Sequence, residues 1–143
     1  MKKVILSTCI ALFSLGLVAQ TNTTNLPSKA QDFIKQNFAS LSVSEVKENS
    51  NWKIWEDDKY EVTLSNGIEL DFNENGEIIE IDSKNNEAIS LSVLPTNISS
   101  YLKENYPDAQ VIGWEKQKNE QEVELADGTE LEFDELGKFR RID

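Results

Sequence analysis

The segment DFNENGEIIEID, residues 71–82, sets oxygen-bearing side chains where a calcium loop would hold them. Calcium is a hard cation, and the twelve-residue loop template supplies its first, third, fifth and twelfth positions as ligands, with glycine at the sixth. Asp71, Asn73, Asn75, Gly76 and Asp82 fill those places. Three features count against an ion. Asp82 is shorter than the glutamate that normally gives both its oxygens. The flanks read as strands, where the template has helices. A second copy of the segment carries Leu136 at the position of Asn75. A polar hairpin turn with Gly76 in the left-handed region accounts for the same residues. No metal and no cofactor are therefore expected, and Asp71, Asn73, Asn75 and Asp82 stand as the one explicit candidate set for calcium or a small ligand.

Catalytic chemistry has little to work with. The chain has no histidine, and its single cysteine is Cys9. Cys-His pairs, Ser-His-Asp triads and histidine or cysteine zinc sites are excluded. A glycosidase-type carboxylate pair needs one acid in an unusual environment. Here the acids alternate along strand faces, where solvation keeps their pKa values ordinary. There is neither a glycine-rich phosphate loop nor a basic, aromatic stripe for nucleic acid. The chain is not expected to be an enzyme.

Binding chemistry is better represented. Trp52, Trp55 and Tyr60 cluster in ENSNWKIWEDDKY, residues 48–60. Two tryptophans three residues apart cannot share one face of a regular strand, so the strand is bulged or one ring is exposed. Exposed Trp and Tyr anchor protein interfaces; a hairpin folded back over its own sheet is the alternative. Trp114 lies in a candidate strand with Ile112 on one face, and core packing suits it. Glu69 and Glu130 belong to acidic strand faces on which like charges oppose one another, an unfavourable arrangement. Lys53, Lys59, Lys116 and Lys118 are placed to relieve part of it, and a basic partner or cations the rest.

The elements that position these groups are written twice. EVTLSNGIELDFNENGEIIEID (61–82) and EVELADGTELEFDELGKFRRID (122–143) match without a gap, with 11 identical positions. Within them Val62, Leu64, Leu70 and Phe72 share one face, as do Val123, Leu125, Leu131 and Phe133, while Glu61, Thr63, Glu69 and Asp71, or Glu122, Glu124, Glu130 and Glu132, take the other. "SNG" and "ADG" are short hairpin turns, and Gly76 and Gly137 mark the next ones. Earlier strands are predicted over Val43–Glu48 and Val111–Lys116. Upstream, LPSKAQDFIKQNF (26–38) corresponds to LPTNISSYLKENY (94–106). Ala30, Phe33, Ile34 and Phe38, and equally Ile98, Tyr101, Leu102 and Tyr106, fall at helical spacing. Ser28 and Thr96 suit the N-cap, Ser28 with Gln31 forms a capping box, and Pro107 closes the second helix. The helices align at an offset of 68 and the hairpins at 61, so copy one carries seven extra residues within 48–60.

Each unit thus reads helix, then four strands: an α+β fold in which a helix covers the apolar face of an antiparallel sheet and the other face stays wet. A unit of about 50 residues makes a thin core, and pairing two is the remedy. Ahead of both, Lys2, Lys3 and the apolar run to Ala19 read as a secretory signal peptide over 1–19, too short for a membrane span. It holds two of the 14 basic residues and none of the 26 acidic ones, so its removal deepens the net charge from −12 to −14. That charge repels nucleic acid and anionic membranes. The expected organisation is a linker at 20–25, one repeat at 26–82, a connector at 83–93 and a second repeat at 94–143, with no transmembrane segment after cleavage.

Leu-Pro, an amphipathic helix ending "NF" or "NYP", a "W-E" strand and "EV.L..G.E..F...G" together resemble the PepSY-like, β-lactamase-inhibitor-like family. The resemblance runs over Leu26–Asp143, and LPTNISSYLKENYPDA and EVELADGTELEFDELG are its most specific parts. It implies tandem helix–β4 units in a periplasmic or secreted bacterial protein. The expected function is non-enzymatic binding of another envelope protein, an envelope enzyme in one version, through the open sheet face and the 48–60 hairpin. Trp52, Trp55, Tyr60, Glu69 and Glu130 would be its contact residues. A small-ligand or calcium-binding envelope protein is the alternative.

Overall fold

The computed structural model describes residues 23–49 and 59–143. The signal peptide assigned to 1–19, the start of the linker, and Trp52, Lys53 and Trp55 lie outside them.

Each repeat opens with a short 3-10 turn, Thr23–Asn25 or Leu91–Val93, followed by Leu-Pro and a ten-residue helix: α1, Ser28–Asn37, and α2, Thr96–Asn105. The strands are β1 Val43–Glu48, β2 Tyr60–Leu64, β3 Ile68–Phe72 and β4 Ile78–Ser83, then β5 Val111–Lys116, β6 Glu120–Leu125, β7 Glu130–Asp134 and β8 Phe139–Ile142. The predicted first strands of both repeats have the observed bounds. All eight form one antiparallel sheet in sequence order. The repeats are therefore fused: β4 pairs with β5 through Glu80–Glu115, Ile81–Trp114 and Asp82–Gly113, the seam between the two copies. The seven extra residues fall in the β1–β2 connection.

Both helices lie on one face of the sheet. Ala30, Ile34 and Phe38 of copy one, and Ile98 and Leu102 of copy two, are buried in a single core with Val62, Leu64, Leu70, Phe72 and their counterparts Val123, Leu125, Leu131 and Phe133. Ring packing repeats as well: Phe33 meets Phe72 edge-on at 5.9 Å, and Tyr101 meets Phe133 edge-on at 5.5 Å. Copy two adds Phe139, stacked on Tyr101 at 4.7 Å, where copy one has Ile78. Irregularities are duplicated too. The ladder shifts between Val43 and Glu45 and again between Val111 and Gly113. It shifts likewise opposite Ile79 and opposite Arg140. Bulges at matched places bend both halves in the same way.

Three expectations are corrected. Helix α1 begins at Ser28 itself, so Pro27 occupies the cap position and no side chain caps the helix. The Gln31 amide donates to the Leu26 carbonyl at 2.8 Å instead of closing a capping box with Ser28. Helix α2 likewise starts at Thr96 behind Pro95, without a side-chain cap. Proline's fixed φ preorganises the first turn of each helix. Ile112 does not share Trp114's face: the bulge between Val111 and Gly113 makes Val111 and Trp114 the pair that enters the core cluster. Glu132, assigned to the wet face, is buried there, against Arg141.

Candidate functional site

Among the described residues no helix covers the second face of the sheet, and the register lines its side chains into two rows. In one row, successive strands pair Lys47 with Glu61, Glu61 with Asp71, Asp71 with Glu80 and Glu80 with Glu115. The row continues from Glu115 to Glu122, Glu132 and Arg141. Six carboxylates thus run across the sheet with one cation at each end. The adjacent row runs Glu45, Thr63, Glu69, Asp82, Gly113, Glu124, Glu130.

Cations meet this face mainly at its flanks. Lys47 binds Glu61 at 2.7 Å and Glu45 at 3.6 Å. Lys84 bridges Asp82 and Glu69, and the Asp82 carboxylate holds its ammonium above the usual lysine range. Arg141 pairs with Glu132 and with Asp143, and Arg140 approaches Glu132 at 3.7 Å. Of the lysines expected here, Lys59 binds Glu48 at 3.1 Å, whereas Lys116 and Lys118 are exposed and join none of these pairs. Among the described residues, no ion pair includes Glu115, Glu122 or Glu124. Burial, followed by the charges of Glu130, Glu115, Asp143 and Glu124, raises the Glu122 carboxyl above its ordinary value. The expectation of ordinary pKa values along this face fails there, because like charges meet where solvent is partly excluded.

The middle of the face is also hollow. Gly113 stands in the second row without a side chain, flanked across the strands by Asp82 and Glu124. Glu80, Glu115 and Glu122 of the first row complete the rim of a cavity of about 130 Å³ at the seam. Sequence reasoning passed over this hollow and its rim; the available signal was one glycine inside the apolar strand VIGWEK, which marks a bulge or a close approach.

Of the interface residues expected from the sequence, the three among the described residues, Tyr60, Glu69 and Glu130, are dispersed. Glu69 and Glu130 both belong to the second row, on opposite sides of the seam, with Glu69 tied to Lys84 and Glu130 exposed. Tyr60 is half-buried and packs against the core from β2, next to Glu48 and Phe72 in the ladder. The calcium-loop candidates do not converge. The Asn73 side-chain oxygen accepts the amides of Asn75 at 3.0 Å and Glu77 at 2.9 Å. In copy two Asp134 does the same for Leu136 and Lys138. Asn75 is exposed, Asp82 is engaged by Lys84, and Asp71 pairs across the ladder with Glu80. An Asx-type turn explains Asn73 and Gly76 without an ion, and among the described residues no cluster of three or more acidic side chains could hold a metal.

Comparison with known proteins fits this architecture. The family model described as "Putative beta-lactamase-inhibitor-like, PepSY-like" matches residues 58–141, a span that starts beside β2 and crosses the seam. A Bacteroides thetaiotaomicron structure described as a "putative calcium-regulated periplasmic protein" is 36% identical over 85% of this chain and 93% of its own, with a TM-score of 0.75. Two Bacteroides vulgatus structures, each described as a "putative periplasmic protein", are 35% and 30% identical over 85% of this chain, covering 93% and 94% of their own, with TM-scores of 0.74 and 0.71. No curated protein matches. The chain belongs to the PepSY-like, beta-lactamase-inhibitor-like family. Like these relatives, it is a periplasmic or secreted protein.

Proposed function

We propose that this member of the PepSY-like family holds another protein of the cell envelope against its acidic sheet face, and that the 48–60 connection, with Trp52, Trp55 and Tyr60, adds the aromatic contacts. The observation that carries it is the face itself. Eight strands present two rows of carboxylates that neither helix covers. A monomer gains nothing from lining up like charges across its strands, whereas a complementary partner converts that repulsion into attraction and faster encounter. Modulation or inhibition of an envelope enzyme is one form this would take.

The test is retention of an envelope protein by the purified chain, compared with Glu69→Lys plus Glu130→Lys and with Trp52→Ala plus Trp55→Ala. Charge reversal should weaken the complex without lowering the unfolding temperature. Unchanged affinity in both variants would reject the face and the connection together.

A second reading, calcium binding, is favoured by one observation, the description of the 36%-identical relative. The geometry of Asp71, Asn73, Asn75 and Asp82 does not support it, since two of the four are committed to other partners. Calorimetric titration with calcium decides: no heat down to millimolar affinity dismisses the ion, and a submillimolar isotherm lost on Asp71→Asn plus Asp82→Asn would restore the loop.

A further inference from the structure

We propose that the hollow over Gly113 seats a lysine or arginine side chain from a basic segment of the protein partner, which makes the seam between the repeats the anchor of the face; this rests on the protein-binding reading above. Three observations combine. The first is shape. At every other strand of its row the second face carries a side chain, but β5 carries Gly113, and the gap opens outward. At about 130 Å³ it is far smaller than the several hundred Å³ of a small-molecule site and suits the head of one side chain.

The second is charge. Glu115, Glu122 and Glu124 border the gap, and among the described residues no ion pair includes any of them, whereas Glu61, Glu69, Asp82 and Glu132 have cations of their own. Among the described residues, Lys84 reaches the rim through Asp82, and the other cations on this face pair with carboxylates outside the gap. The third is the ladder. Glu115 and Glu122 stand directly opposite one another on adjacent strands, so a cation entering between them relieves their mutual repulsion. Burial and neighbouring acids already disfavour the charged form of Glu122, as expected of a group awaiting an opposite charge. Nucleic acid and anionic lipid are excluded by the sign of the face. A basic protein segment has the right sign and brings backbone contacts for the surrounding strands.

The experiment titrates the purified protein with acetylated, amidated hexalysine and follows backbone amides by NMR. Shifts should concentrate on Gly113, Glu115, Glu122 and Glu124. Affinity should fall at least about tenfold in Glu122→Gln plus Glu124→Gln, since both removed charges border the gap. Gly113→Ala keeps every charge but puts a Cβ 3.2 Å from that of Glu124, and it should also weaken binding. Glu45→Gln, in the same row but remote from the seam, should change little. Shifts spread evenly over the face, with equal loss in every variant, would mean general attraction to an acidic surface and overturn the hollow. Absence of binding would do the same, and so would calcium chloride moving these amides while hexalysine fails to displace it. Failure here is distinguishable from failure of the broader reading. An envelope partner retained undiminished by the Glu122/Glu124 variant rejects the hollow alone. Hexalysine seated at the seam with no envelope protein retained rejects the broader reading alone.

Discussion

Gln121 is a polar side chain buried on the core side of β6, and its partners explain its presence. Its oxygen accepts the Trp114 indole N–H at 3.2 Å, and its amide donates to the carbonyls of Asp134 and Glu135 at 3.3 and 3.1 Å. One residue thus ties the seam strand to the last turn. Gln121→Leu should destabilise the protein by about 1–3 kcal/mol in urea unfolding, the cost of leaving buried polar groups unmatched. Adding Trp114→Phe should recover part of that, because it removes the stranded donor; strict additivity would show that the bond matters little. Glu122 makes the residue-scale pH prediction. Its pKa is raised in the folded state, so its stabilising contribution is full at low pH and is lost as pH rises through the folded value. Glu77 is lowered by Lys29 and Asn73, and Asp127 by Thr129, so they act oppositely and lose their contribution only as pH falls through their depressed values. Stability should therefore rise as pH falls from neutrality through the raised Glu122 value, and decline as pH falls further through the depressed values of Glu77 and Asp127. Glu122→Gln should flatten the upper limb of a melting-temperature profile, and an unchanged slope there would reject the assignment.

At the scale of elements, the two second-turn glycines do more than turn the chain. Gly76 has φ +75° and Gly137 φ +79°, and each sits under the N-terminus of its repeat's helix. A Cβ on Gly76 would lie 2.7 Å from Pro27 Cβ, and one on Gly137 3.1 Å from Asn97 Cβ. The docking is reinforced by Lys29 to Glu77 at 2.6 Å in copy one and by the Asn97 amide to the Leu136 carbonyl at 2.8 Å in copy two. Gly128, in contrast, has φ +86° but open space around it. Gly128→Ala should therefore cost only about 1 kcal/mol of backbone strain, while Gly76→Ala should cost clearly more because the helix must move as well. Equal effects of the two would show that the contact between turn and helix is soft.

For the whole molecule, the continuous sheet and single core make the repeats one cooperative unit. Phe72→Ala and Phe133→Ala empty equivalent, fully buried positions on opposite sides of the seam. Each should destabilise by about 3–5 kcal/mol and lower one shared unfolding transition, measured calorimetrically. A variant that splits the transition would mean that β4 and β5 do not couple the halves. The acidic rows also set a salt response. Added salt screens cross-strand repulsion on the solvent-facing rows, so moderate sodium chloride should raise the melting temperature and weaken any complex with a basic partner.

The sequence by itself determined the elements and their sidedness. Alternation in the two 22-residue hairpins put Val62, Leu64, Leu70 and Phe72, and their copies, on one face, because a strand's period of two leaves no other choice. The helical spacing of Ala30, Phe33, Ile34 and Phe38 worked for the same reason, and self-comparison located the seven-residue insertion. Cap assignment failed because proline's rigid ring, with no amide to satisfy, already starts each helix. Trp114 and Ile112 were misplaced relative to each other because a bulge shifts parity, and its one sequence mark, Gly113, does not say on which side of it the shift falls. The candidate site was legible as acidic strand faces within each repeat, not as one place. That Glu80, Glu115 and Glu122 form one row over a gap at Gly113 depends on β4 meeting β5 in a particular register. Periodicity within a strand fixes which way a side chain points; only long-range pairing fixes what it stands beside. The hollow belongs to that second kind of information.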